Sequence, residues 1–232
     1  MKIKAIKTRI FQPREDLLIF IAKYLPAIPN KSILVITSKI VALAEGRLIK
    51  KINERTKVEI IKKESDFVLK TKSVSLTIKD GLVMANAGVD ESNGNGWIIL
   101  LPKDSYKSAA NLRRYFMAKY HLKKLGVIIT DSRCLPLRAG ITGVALGYAG
   151  FKGLKRYQKK LDIFGRPFKY SRVDVADSLA TAAVLCMGEG AERQPLALIS
   201  GAPVEYADWI DKNELKIDIK EDLYGPLFRK II

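Results

Sequence analysis

Leu125-Gly126-Val127-Ile128-Ile129-Thr130-Asp131 is an apolar run closed by an aspartate. A second run, Gly81-Leu82-Val83-Met84-Ala85-Asn86-Ala87-Gly88-Val89-Asp90, ends the same way. Length and β-branching mark the first as a buried strand. Each carboxylate is therefore expected where a strand runs into a loop, held rigidly near solvent. Hard divalent cations prefer carboxylate oxygen, so two such ends can hold a metal between protein and phosphate. The alternative is that both are turn-forming aspartates, because Asp commonly starts turns.

Working outward, Lys31-Ser32-Ile33-Leu34-Val35-Ile36-Thr37 reads as another buried strand. Ser38 follows as the cap of a short helix over 39–44, stopped by Gly46. Apolar runs over 73–78 and 82–86 flank Lys79-Asp80-Gly81, a hairpin signal. Residues 1–11 read as a strand with alternating Lys. Residues 16–25 read as a helix with Leu17, Leu18, Ile21 and Leu25 on one face, ended by Pro26 and Pro29. A short strand is expected over 97–101, and a long amphipathic helix with a basic outer face over 105–124. A Gly-studded strand follows over 142–149, then an Ala-rich helix over 172–187 ended by Gly188 and Gly190, and a last strand over 195–200. Residues 203–232 carry no assignable function. No repeat, low-complexity block or flexible linker interrupts this order. The mixture predicts an α/β or α+β fold with several hairpins.

At 232 residues the chain is one large domain or two intertwined small ones. No apolar stretch approaches the roughly 20 residues that span a membrane. Met1-Lys2-Ile3-Lys4-Ala5-Ile6-Lys7 lacks the apolar centre of a secretory signal. Cys134 and Cys186 are the only cysteines and sit in ordinary segments, which favours a reducing cytoplasm. His121, the single histidine, reads as a surface residue, so zinc sites and Ser-His or Cys-His catalysis are not expected. Net charge is +17, divided as +10 over residues 1–72, −2 over 73–100, +14 over 101–172 and −5 over 173–232. Such a field favours phosphorylated cofactors, nucleotides, nucleic acid or acidic lipid. Lysine on solvated faces explains it equally well.

Four further segments carry chemistry. Ser38-Lys39 places a hydroxyl and an ammonium beside free helix amides, a phosphate-friendly end or simply a cap. No Walker loop is present. Gly88 to Gly96 is a polar loop in which Asp90, Ser92 and Asn93 offer oxygen ligands, unless it is an exposed turn cluster. Arg133 and Arg138, among Gly140, Gly143 and Gly147, suit bidentate anion binding or a solvated basic loop. Glu189 and Glu192 follow the Ala-rich helix as a third metal ligand or a charged helix exit.

Read together, these words resemble the coenzyme F420-0:γ-glutamyl ligase family. The matching stretches are Val35-Ile36-Thr37-Ser38-Lys39-Ile40-Val41 with Ala44-Glu45-Gly46-Arg47, and Ala85-Asn86-Ala87-Gly88-Val89-Asp90-Glu91-Ser92-Asn93. Gly126-Val127-Ile128-Ile129-Thr130-Asp131-Ser132, Phe164-Gly165-Arg166, and Val175-Ala176-Asp177-Ser178-Leu179-Ala180 running to Met187-Gly188 follow in the family's order. They span roughly residues 30–201. The resemblance implies an α+β fold with mixed and antiparallel sheets, a single unit over 1–232 built of two intertwined subdomains, and an intertwined homodimer. It implies GTP, Mg²⁺ or Mn²⁺, an anionic small-molecule carboxylate activated as an acyl phosphate, and L-glutamate as the amine. It implies catalytic metal ligands at Asp90 and Asp131, with Ser132 and Glu189 beside them. Nucleotide contacts are implied at Ser38, Lys39, Asn93, Met187, Gly188 and Glu189, and substrate contacts at Arg133 and Arg138.

The chain departs from the family's pattern: a lysine is replaced by Leu43, a glutamine by Ile141 and an aspartate by Gly143. Ser132 stands where a Thr is usual, and an acidic stretch after Gly150 is replaced by Lys152, Lys155 and Arg156. Losing such groups against a ligand changes polar recognition by several kcal/mol. The acceptor therefore stands open between an F420 precursor and a folate-type substrate. A degenerate ligand-binding homologue and a basic nucleic-acid-binding protein are the competing readings. The latter is disfavoured because aromatics are not interleaved with the lysines.

Overall fold

A computed structural model of the chain describes residues 1–50, 53–158 and 160–228. In chain order, the first half carries β1 (Lys2–Ile6), α1 (Leu17–Tyr24), β2 (Ser32–Thr37), α2 (Ser38–Ala44), β3 (Leu48–Lys50) and α3 (Glu54–Glu64). Next come β4 (Phe67–Lys70), β5 (Ser75–Lys79), β6 (Leu82–Ala85), a single 3-10 turn (Asn86–Gly88), β7 (Trp97–Ile99) and α4 (Ser105–Lys119). The chain continues through β8 (Leu125–Cys134), β9 (Ile141–Ala149), β10 (Leu154–Arg156) and β11 (Arg172–Asp174). It then forms α5 (Val175–Met187), β12 (Leu196–Ser200) and α6 (Gly225–Phe228).

A five-stranded sheet of order β1-β12-β2-β8-β9 forms the centre. β2 and β8 run parallel and its other pairings are antiparallel, so this sheet is mixed. The β3-β7, β4-β5-β6 and β10-β11 sheets are antiparallel. The fold is α+β, with mixed and antiparallel sheets and helices.

Period-two alternation with both faces buried explains why β2 is apolar over 33–36 and β8 over 125–129. Leu34 and Ile36 with Val127 and Ile129 pack against Phe20 and Ile21 of α1 and Leu112 and Phe116 of α4. Ile33, Val35 and Ile128 face the other way, onto Ala176, Leu179, Ala180 and Ala183 of α5. Both faces of these apolar stretches are covered by helices, as continuous apolar runs require. The alanines let α5 lie close: a Cβ built at Gly143 of β9 would stand 2.5 Å from the Ala180 carbonyl oxygen.

Several boundaries differ from the sequence reading for identifiable reasons. The helix expected over 105–124 ends at Lys119, and His121 turns left-handed at φ 52°. Asn30 Oδ1 accepts the Lys123 and Lys124 amides at 3.1 and 2.8 Å and draws the chain into β8 instead. The helix expected over 172–187 begins at Val175, because Asp174 caps it by accepting the Asp177 amide at 2.9 Å. Arg172 to Asp174 instead pair with β10. Helix α3 carried no sequence expectation; Asn53 caps it through the Thr56 amide at 2.8 Å.

Glu64, at the end of α3, ties the small β4-β5-β6 sheet to the rest. Its Oε2 accepts from Arg47 at 2.8 Å and from Lys79 at 3.0 Å, and its side chain is 14% exposed. Burial raises the Glu64 carboxyl, but the Lys79 and Arg47 cations outweigh that and hold it below its ordinary value. A depressed carboxyl stabilises the fold above the unfolded value and loses that contribution as pH falls through the folded one. Glu64→Gln should therefore cost about 1–3 kcal/mol near neutral pH. The deficit should close in acid, as read by urea denaturation across a pH series.

Candidate active site

The parallel pairing of β2 and β8 builds the site. Thr37 stands opposite Thr130 at the end of the β2–β8 ladder, so the next residues, Ser38 and Asp131, emerge side by side there. β2 stops, but β8 runs on to Cys134 with Asp131 opposite Val144 of β9, so Asp131 lies within a strand and not at the strand-to-loop step that the sequence suggested. Ligands in open sheets collect at such ends. Ser38 is 4% exposed. It is the first residue of α2 rather than its cap: Thr37 holds the cap position, and no side chain closes it. The Asp131 carboxylate accepts the Ser132 amide at 2.8 Å. Burial pushes Asp131 up to about 6, and the Asp90 charge acts in the same direction. The Ser132 amide, the Ser38 hydroxyl and the Lys39 ammonium oppose the rise.

Asp90 arrives from a segment more than forty positions earlier in the chain. Three consecutive left-handed residues, Asn86, Ala87 and Gly88 (φ 53°, 54° and 69°), turn the chain after β6. Alanine in that region costs about 1–2 kcal/mol, and neighbours hold it there. The buried Thr77 hydroxyl accepts the Ala87 amide and donates to the Met84 carbonyl, both at 2.7 Å. Asn86 Oδ1 accepts the Ser75 amide at 2.9 Å. Asp90 then bridges to Ile99 through two backbone hydrogen bonds of 3.0 and 2.8 Å. Its Oδ2 accepts Lys39 Nζ at 2.7 Å and the Ser92 hydroxyl at 2.6 Å, and its Oδ1 accepts the Ser92 amide at 2.7 Å. Burial raises Asp90, but these donors outweigh it and keep the carboxyl below its ordinary value.

One cleft of about 920 Å³ contains these groups. Lys39, Asp90, Asn93, Asp131, Ser132, Met187, Gly188 and Glu189 all line it. The Ser132 hydroxyl donates to Glu189 Oε1 at 2.6 Å, fastening the loop after α5 to the end of β8. Ser38 lies buried behind this lining, against Asp131. Arg133 and Arg138 are not among the lining residues. Arg133 bonds Asp177 of α5 at 2.7 Å, and Arg138 lies exposed in the loop between β8 and β9. Sequence reasoning missed Arg9, Phe11 and Arg193, which also line the cleft. No motif marks them; the β1–α1 loop brings in Arg9 and Phe11, and the loop between α5 and β12 brings in Arg193.

The donor set fits a divalent cation. Among the described residues no three His, Cys, Asp or Glu side chains form a ready-made cage. Magnesium usually takes one or two carboxylates and completes its shell with waters and substrate phosphates. Asp90 and Asp131 offer such a pair, and burial leaves the Asp131 charge short of counter-ion.

A model of the F420-0:Gamma-glutamyl ligase family matches residues 5–201. The chain belongs to this family. A coenzyme F420:L-glutamate ligase of Methanococcus maripaludis (strain C7 / ATCC BAA-1331) is 33% identical over 244 residues, 97% of each chain. One from Methanopyrus kandleri is 35% identical over 216 residues, 85% of each chain. Another from Methanococcus maripaludis (strain S2) is 40% identical over 169 residues, 72% of this chain and 67% of the relative. Three of the positions at which the sequence reading expected other residues fall unequally on the site. Leu43 lines the cleft, whereas Ile141 and Gly143 lie on β9 outside its lining.

Thr77 holds the turn that delivers Asp90. Thr77→Val leaves the Ala87 amide and Met84 carbonyl without that partner and should cost about 1–3 kcal/mol in urea denaturation. A loss below about 0.5 kcal/mol would show that the turn stands without it.

Proposed function

We propose that this chain is a nucleotide- and divalent-metal-dependent ligase that joins L-glutamate through its amine to the carboxylate of an anionic small molecule, with GTP as co-substrate. The observation that carries this reading is the convergence of Asp90, Asp131, Ser132 and Glu189 with Lys39 and Asn93 in one cleft, in a member of this ligase family. The relatives are named for adding L-glutamate to coenzyme F420. An F420 precursor is therefore the first acceptor to test, and a folate-type acid the second.

Asp90 and Asp131, aided by Ser132 and Glu189, would hold Mg²⁺ or Mn²⁺, whose chemistry is to neutralise phosphate charge and orient the transferred group. The cleft has a use for such charge. Four carboxylates line it (Asp90, Asp131, Glu189 and Glu192) against three side-chain cations (Arg9, Lys39 and Arg193), an environment that repels a bare triphosphate. Ser38, Lys39 and Asn93, with Met187 and Gly188, form the nucleotide side of the reading. Asn93 contributes an amide that can donate to phosphate oxygen.

In the reaction, an oxygen of the acceptor carboxylate bonds to the γ-phosphorus and the nucleoside diphosphate leaves. The glutamate amine then attacks the acyl carbon. Inorganic phosphate departs as the amide forms, and the amine loses its proton to phosphate or water. Placement and preorganised charge account for most of the rate in such transfers. The homodimer belongs to the same proposal. Leu137 between β8 and β9 is 104% exposed, and Ile163 beyond β10 is 92% exposed, so both are free for a second copy.

Incubation with GTP, Mn²⁺, L-glutamate and a cellular metabolite extract should yield products heavier by one glutamyl unit. Asp131→Ala should abolish them and weaken nucleotide binding at least tenfold, about 1.4 kcal/mol. Unchanged nucleotide affinity in Asp131→Ala, or no glutamylated product with any acceptor, would contradict the reading.

A further inference from the structure

Three side-chain cations line the cleft, and two are engaged within the protein. Arg9 bonds Glu15 and the Ile10 carbonyl, and Lys39 bonds Asp90 and Ser92. Arg193 has no side-chain partner among the described residues; its recorded hydrogen bond is a backbone one, from the Thr8 amide to its carbonyl at 2.8 Å. Its neighbour Glu192 turns back onto the Gly190 amide at 2.8 Å.

The backbone under Arg193 is left-handed, at φ 56°. Glycine adopts that region freely and other L residues do so at a cost. The surroundings impose it: Thr8 grips the Arg193 carbonyl, and two residues on, the Pro195 carbonyl accepts the Thr37 amide at 3.0 Å. Glycine would serve the fold better. Arg14 and Lys31 share this conformation, but of the three only Arg193 lines the cleft, where its exposed side chain is open to a ligand and where such strain gathers at ligand clamps.

We propose that Arg193 binds a carboxylate of the incoming L-glutamate; this assignment rests on the ligase reading. A dicarboxylate entering a cleft that holds four carboxylates needs a dedicated cation, and the planar guanidinium fork matches a carboxylate bidentately. The position suits the role. Arg193 stands four positions after Glu189, which is tied to Ser132, a span of at most roughly 14 Å. An amino acid held there would lie in the same cleft as Asp90, Asp131 and Glu189.

The test compares wild type, Arg193→Gly and Arg193→Lys. L-Glutamate binding is titrated by calorimetry into GTP- and Mn²⁺-loaded protein, and GTP affinity and melting temperature are read in parallel. Arg193→Gly should weaken glutamate binding at least about tenfold while leaving GTP affinity within about twofold and melting at or above the wild-type temperature. Arg193→Lys, which keeps charge without the fork, should fall between. Glutamate affinity unchanged in Arg193→Gly overturns the assignment and leaves the ligase reading standing. GTP affinity lost as strongly as glutamate affinity overturns it in favour of a phosphate contact. A wild-type protein that binds GTP but no glutamate overturns both.

Discussion

The parallel ladder between β2 and β8 is the constraint on which the rest depends. Its register sets Thr37 opposite Thr130, and a slip of one residue would turn every side chain of either strand onto the wrong face. Leu34, Ile36, Val127 and Ile129 fill one core while Ile33, Val35 and Ile128 fill the other, so the register is fixed from both sides. The site inherits that precision. Ser38 and Asp131 stand together because hydrophobic packing leaves their strands no alternative alignment.

The segment that delivers Asp90 solves a different problem. Asp90 must approach a carboxylate that already sits in a poorly hydrated place, and the two charges repel. Lys39 offsets part of this by bonding Asp90 directly and by acting on Asp131 at the same time. The left-handed turn at Asn86 to Gly88 supplies the rigidity. Thr77 and Asn86 satisfy the donors that the turn would otherwise leave bare. The resulting arrangement is electrostatically uneven, with Asp131 raised and Asp90 lowered. A divalent cation held by the two carboxylates would relieve that imbalance, which is the physical case for the proposed metal.

Much of this was legible in the sequence, for reasons that differ by element. β2, β8 and the β5-β6 hairpin declare themselves through β-branched runs and an Asp-Gly turn, and the two aspartates through their position at the ends of such runs. α3 was not legible: Glu54 to Glu64 is largely charged, with buried Ile60 and Ile61 as its inner anchors. The end of α4 was misplaced because Asn30, nearly a hundred positions away in sequence, decides it. Ser38 looked like a cap and instead faces Asp131, a distinction that only tertiary structure draws. Arg193 was invisible for a similar reason: neither its left-handed backbone nor its place in the cleft has a local signature.

The central claim is that Asp90 and Asp131, brought from distant parts of the chain, act on one cation and not on separate ligands. A double-mutant cycle on Mn²⁺–GTP affinity, with Asp90→Asn, Asp131→Asn and the double variant, measures this directly. If the two share one cation, the double variant binds Mn²⁺–GTP little worse than the weaker single variant. Losses that add in full across the two positions would contradict the account.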